Sequence, residues 1–154
     1  MEIAELLSPR GVVAPLRAAN KRQVLQELAR RAAALTELSE RHIYEVLAER
    51  ERLGSTGIGH GVAVPHGRFS ELSRPCGLFA RLERAIPFEA IDDQPVDLVF
   101  VLLAPAEAGS GHLTALARIS RLLRDRAMCE KLRGTDNPDA LYALLTVATE
   151  SHAA

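Results

Sequence analysis

Hydrophobic positions recur with helical spacing in the first third of the chain. Val24, Leu25, Leu28 and Ala32 fall on one face, behind Asn20 and Gln23, whose spacing is that of a capping box. Ser39 is placed to cap a second helix in which Ile43, Val46 and Leu47 line up, and Gly54 is expected to end it as a left-handed residue. The pattern then changes. Residues 57–65 read Gly-Ile-Gly-His-Gly-Val-Ala-Val-Pro, and Cys76–Leu82 and Val96–Leu103 are strand-like apolar runs. The last is nearly unbroken, as in a strand buried on both faces. Helical spacing returns from Leu113, with Leu116, Ile119, Ser120 and Leu123 inward and Arg118, Arg121 and Asp125 outward. Asn137-Pro138 is a helix start, followed by Leu141, Leu144 and Leu145. Helices at both ends of a strand-rich middle predict an α/β layered domain, a mixed β-sheet flanked by α-helices. With no repeat, linker or low-complexity tract, residues 1–154 read as one domain.

Composition narrows the class without naming a chemistry. A chain of 154 residues can bury roughly 68–70% of its unfolded surface, so no staple is required. Hydrophobic residues at 47% and charged residues at 25% fit a globular protein. A formal net charge of -1 argues against general nucleic-acid binding, which relies on positive charge. Cys76 and Cys129 have no metal-ligand spacing and read as reduced thiols. Acids at Glu2 and Glu5 stand where a secretory signal needs basic residues, and the apolar run 98–104 is too short for a bilayer. A cytoplasmic location without membrane insertion is expected.

Candidate chemistry concentrates between Arg50 and Arg68. Closely spaced glycines there let the backbone approach itself or a ligand. Pro65 keeps Val64 out of helical geometry, so His66 is expected just past a strand end, where open α/β sheets place ligands. The segment lacks the Gly-Lys-Ser/Thr ending of a nucleotide-binding loop, and its glycines lead into a strand rather than a helix. Ser55 is outside any Gly-x-Ser-x-Gly elbow, and no HExxH spacing occurs. An unperturbed imidazole, with a pKa near ~6.5, is largely a neutral nucleophile at physiological pH. Taking up a phosphoryl group requires a fixed tautomer and donors for the incoming oxygens. Backbone amides around Gly57 and Gly67, the Thr56 hydroxyl and Arg50 are candidates to supply them. His112, after Ser110-Gly111, opens an amphipathic helix whose positive end disfavours imidazolium and leaves an N–H for an anion. From these residues alone, surface histidines in a glycine-rich turn and at a helix start fit as well.

Three segments carry a resemblance. Residues 55–67, Ser-Thr-Gly-Ile-Gly-His-Gly-Val-Ala-Val-Pro-His-Gly, resemble the phosphorylation site of mannitol/fructose-class enzyme IIA domains of the bacterial phosphoenolpyruvate-dependent phosphotransferase system. Ala-Ile-Asp-Asp-Gln-Pro-Val-Asp-Leu-Val-Phe (90–100) and His-Leu-Thr-Ala-Leu-Ala-Arg-Ile-Ser (112–120) match further family landmarks in the same order. Arg-Glu-x-x-Gly-Ser-Thr-Gly-Ile-Gly with Ala-Ile-Asp-x-Gln-Pro-Val-Asp-Leu looks most like the nitrogen-regulatory branch. That branch is a free-standing regulator without a sugar-permease domain.

The resemblance implies that His66 accepts a phosphoryl group on Nε2 and that His112 hydrogen-bonds that group without being phosphorylated. It implies that Arg50 neutralises phosphate charge and that Thr56 lines the pocket. It also implies, with no cofactor, a donor that is a small histidine phosphocarrier protein, HPr-like or NPr. Regulated targets such as potassium transporters or sensor kinases follow from the same likeness. Two positions depart from the pattern: His60 stands where Asn or another small polar residue is expected, and Asp93 where Asn is frequent. Two other readings remain open. One is a sugar-specific IIA passing phosphate to a IIB domain; the other is a binding module gathering an anion or metal through His60, His66 and His112. Arg118, Arg121 and Arg124 form a basic stripe, either a solvated face or a dock for an acidic partner. Residues 106–111 are expected as a mobile loop at the rim of the site.

Overall fold

A computed structural model of the chain describes residues 2–107, 109 and 111–153, with side chains as far as Val147. Its elements are α1 (Ile3–Leu6), β1 (Leu7–Leu16), α2 (Lys21–Thr36), α3 (Glu40–Arg52), β2 (Gly57–Gly59), β3 (Val62–Ala63) and β4 (His66–Phe69). After them come β5 (Cys76–Ile86), β6 (Val96–Pro105), α4 (Gly111–Arg124), α5 (Arg126–Arg133) and α6 (Pro138–Ala153). The six strands form one sheet in the order β1-β5-β6-β3-β2, with β4 also paired to β6. β1 runs parallel to β5, β5 antiparallel to β6, and β3 and β4 parallel to β6, so the sheet is mixed as expected.

Strand β6 divides the core. Val99, Val101 and Leu103 pack toward α2 and α3 with Val24, Leu25, Leu28 and Leu47. Leu98, Phe100 and Leu102 pack the other way, against Ile119 and Leu123 of α4, Leu132 of α5 and Leu141 and Leu145 of α6. The alternation of a strand serves two apolar layers, which is why this segment carries no polar face.

The helix starts follow the sequence. The Asn20 side chain accepts from the Gln23 N–H at 2.9 Å, while the Gln23 side chain returns to the Ala19 N–H at 2.7 Å, one residue earlier than a regular capping box. Ser39 caps α3 through the His42 N–H, and Asn137 accepts from Asp139 and Ala140. Three expectations change. α3 closes on Leu53 in right-handed helical geometry, and Gly54 follows at φ 153°, far more open than a compact left-handed end. Arg118 is half-buried and pairs with Glu2 at 3.2 Å, so the exposed part of the basic stripe is Arg121 and Arg124. Asp125 caps α5 by accepting from Ala127 and Met128.

Strand β1 and helix α5 have no counterpart in the hydrophobic pattern. Pro9, Gly11 and Pro15 punctuate β1 like a loop. Its place at the sheet edge explains their tolerance, because only one side must pair, and the pairing to β5 shifts register twice. No helix among the described residues is long and apolar enough to cross a membrane.

Candidate functional site

His66 lies past the end of β3, as expected, and itself opens β4. Val62 and Ala63 pair with Leu98 and Val99, and His66 and Gly67 with Leu102 and Leu103, so the register along β6 is the same on both sides of Pro65. Proline lacks an N–H and interrupts pairing for one step, while its carbonyl still accepts from the Leu102 N–H at 3.0 Å. One strand is thus split into two, and the histidine sits toward the carboxyl end of the parallel strands, where such sheets bind ligands.

The half-buried His66 ring places Nδ1 2.9 Å from the Val64 carbonyl. A carbonyl only accepts, so Nδ1 carries the proton and Nε2 keeps its lone pair. Burial depresses the His66 pKa below its ordinary value, opposed by the Val64 hydrogen bond. The positive charge of Arg50 depresses it further, as would a charge on His112, and Glu51 works weakly the other way. The result is a neutral imidazole of one tautomer with its nucleophilic nitrogen free.

His112, at the start of α4, holds Nδ1 3.0 Å from the Gly109 carbonyl. That nitrogen is therefore the protonated one, and Arg68 Nη2 packs against the ring, 2.9 Å from Nε2. Arg68 Nη2 also approaches Nδ1 to 2.8 Å and the Gly109 carbonyl at 3.5 Å. His112 thus spends its own N–H on the loop, and the positive group it presents is Arg68. Strand alternation accounts for this: residues two apart share a face, so Arg68 emerges beside His66. Its place two residues after His66 is the sign of it in the sequence; the contact with His112 comes only from the fold. Within the 106–111 rim, Ala108 and Ser110 lie outside the described residues.

The other candidates are tied to protein. Arg50, in the last turn of α3, donates to the Gly54 carbonyl at 2.8 Å while its charge reaches His66. The Thr56 hydroxyl is buried and donates to the Glu51 carboxylate rather than facing open space. Gly57 and Gly67 are sites of close packing. A methyl at Gly57 would stand 2.6 Å from Ala90 Cβ and 3.0 Å from Ala90 Cα; one at Gly67 would stand 2.5 Å from Val46 Cγ1. Gly57→Ala is expected to cost about 1–3 kcal/mol by overpacking, read as a lower denaturation midpoint at unchanged slope.

His60 stands apart. It precedes β3 as His66 opens β4, so the two lie beyond opposite ends of β3. Its N–H donates to Asp92 at 2.9 Å, its carbonyl accepts from Arg133 at 2.8 Å, and its Nε2 lies 3.2 Å from Arg126. Among the described residues no group of three His, Cys, Asp or Glu is gathered to hold a metal, and the three-histidine site is not assembled. Both departures from the family pattern have a backbone cause: His60 has φ 56° and Asp93 φ 61°. Asn, Asp and His are the side chains most tolerated in that left-handed region.

Residues 5–147 match the family described as "Phosphoenolpyruvate-dependent sugar phosphotransferase system, EIIA 2". A nitrogen regulatory protein of Bradyrhizobium diazoefficiens is 52% identical over 147 residues, covering 96% of each chain. The fructose-specific EIIABC component of Bacillus subtilis is 32% identical over 146 residues, 94% of this chain and 23% of that protein. Among solved structures, the nitrogen regulatory protein IIA-Ntr of Neisseria meningitidis superimposes with a TM-score of 0.89 at 33% identity, covering 94% of this chain and 99% of that one. With its mixed sheet, flanking helices and a match running through nearly all of its length, the chain belongs to the EIIA 2 family of the phosphoenolpyruvate-dependent phosphotransferase system.

Proposed function

We propose that this chain is a phosphoryl-accepting regulator in a nitrogen-related phosphotransferase system, working in the cytoplasm as one domain. A small HPr-like or NPr phosphocarrier, itself phosphorylated on histidine, docks over the His66 face. The Nε2 lone pair of His66 attacks phosphorus in line, the donor's N–P bond breaks, and its electron pair returns to the donor imidazole. The proton stays on Nδ1, donated to the Val64 carbonyl, throughout. Arg68, held by His112, and Arg50 meet the charge on the phosphoryl oxygens. The product carries roughly 1.5 to 2 added negative charges at one surface point, enough to change which partners bind; potassium transporters and sensor kinases are the target classes.

The observation that carries this reading is the Nδ1 hydrogen bond to Val64, which leaves Nε2 as the free nucleophile. The regulatory branch is favoured by the 52% identity to a nitrogen regulatory protein. The likeness to a fructose-specific component supports transfer to a IIB domain as the second reading, and a fast transfer to purified fructose-type IIB would favour it. Incubation with phosphoenolpyruvate and the two upstream proteins should give acid-labile, alkali-stable phosphate, placed on His66 Nε2 by nitrogen-15 and phosphorus-31 spectra. Label on Nδ1, or on another residue, would sink the mechanism.

A further inference from the structure

Glu51 is a carboxylate with only 5% of its side chain exposed, placed in the last turn of α3. A negative charge there meets the negative end of the helix dipole, and its partner Lys21 sits at the positive end of α2. Neither helix gains from the pair. Buried ion pairs are also weak stabilisers, since apolar replacements of similar volume are often neutral. The arrangement calls for another reason.

The hydrogen bonds supply one. Glu51 Oε2 takes Lys21 Nζ at 2.8 Å, and Oε1 takes both the Thr56 N–H, at 2.9 Å, and the Thr56 hydroxyl. The Thr56 carbonyl accepts from the Val64 N–H at 3.0 Å. The Val64 carbonyl accepts from His66 Nδ1 at 2.9 Å. The links run through whole residues rather than single peptide planes, so what passes along them is position. Lys21 reinforces the anchor by lying 4.7 Å above the Phe88 ring, and the Phe88 carbonyl accepts from Ser55 at 2.8 Å. The loop leading to β2 is therefore pinned from both sides of Thr56.

We propose that Glu51 is a positioning residue for His66: through Thr56 and Val64 it holds in place the carbonyl that selects the Nδ1-protonated tautomer. Pairing to β6 holds the stretch around Val64 on one side, at Ala63 and at the Pro65 carbonyl; on the other side the Val64 N–H rests on the Thr56 carbonyl, and Glu51 fixes Thr56. An ionised carboxylate with two donors on one oxygen and an ammonium on the other is a firm anchor, because charge-assisted bonds are short and directional. The idea rests on His66 as phosphoryl acceptor, yet its main readout does not.

The test uses the full chain with nitrogen-15-labelled imidazoles. In the wild type, His66 should show one protonated Nδ1 and one lone-pair Nε2. Glu51→Gln keeps shape and removes charge; it is expected to give a mixture of tautomers and to slow phosphoryl uptake roughly 10- to 100-fold, as loss of an orienting outer partner does at metal sites. Thr56→Val, which cuts only the hydroxyl link, should shift the tautomers in the same direction by less. An unchanged single tautomer in folded Glu51→Gln overturns the proposal, and if that variant does not fold, an unchanged tautomer in Thr56→Val does so. Should wild type fail to take up phosphate while the tautomer still responds to Glu51, the functional reading falls and the positioning role stands.

Discussion

His66→Ala is expected to abolish phosphoryl uptake while leaving the fold intact. The side chain is half-buried at the sheet end, and its hydrogen bond among the described residues is to a backbone carbonyl that water can replace. Deleting an enzyme's nucleophile costs on the order of 10⁶ in rate, far below what donor groups alone sustain. The pH profile of the wild type carries further information. Neutral imidazole is the reactive form, and burial with the Arg50 charge holds the His66 pKa below its usual value of 6.5. Uptake should therefore persist as pH falls through the ordinary histidine range and decline only below it. Single-turnover rates against pH, with a donor of known titration, check this; a midpoint above 6.5 would contradict the geometry.

Arg68→Ala is expected to slow phosphoryl transfer by about 10²–10³, the usual loss when a preorganised donor to developing charge is removed. His112→Ala should cost less, because His112 meets the site through the guanidinium it orients. The two should not add: once Arg68 is gone, His112 has nothing to hold, and the double variant should resemble Arg68→Ala alone. Additive losses would mean that each side chain touches the phosphoryl group independently. Both residues are exposed or half-exposed, so unchanged melting temperatures are expected alongside the rate effects.

The two predictions differ in how far the sequence foretells them. His66 is marked by the glycine-rich approach and Pro65, and its tautomer is a local matter, set by a carbonyl two residues back. Arg68 becomes meaningful only when α4 brings His112 across the sheet to meet it, 44 positions later. Thr56 shows the converse: as a hydroxyl in a glycine loop it reads as a ligand group, whereas in the fold it satisfies Glu51. Gly57 and Gly67, candidate phosphate cradles by composition, instead let Ala90 and Val46 approach.

By itself the sequence determined the helices that carry their own caps and apolar faces, the doubly buried β6, and the choice of His66 as the proposed phosphoryl acceptor. Each of these depends on neighbours within a few residues or on a periodicity that one segment contains. Tertiary structure decided what depends on distant pairing. β1 survives its prolines because β5 supplies one partner edge, and His66 opens a strand because β6 keeps its register past Pro65. His60 is removed from the site because β3 lies between it and His66. Hydrogen-bond partners chosen across the sheet, rather than residue types, separate the groups free to meet a phosphoryl group from those already engaged.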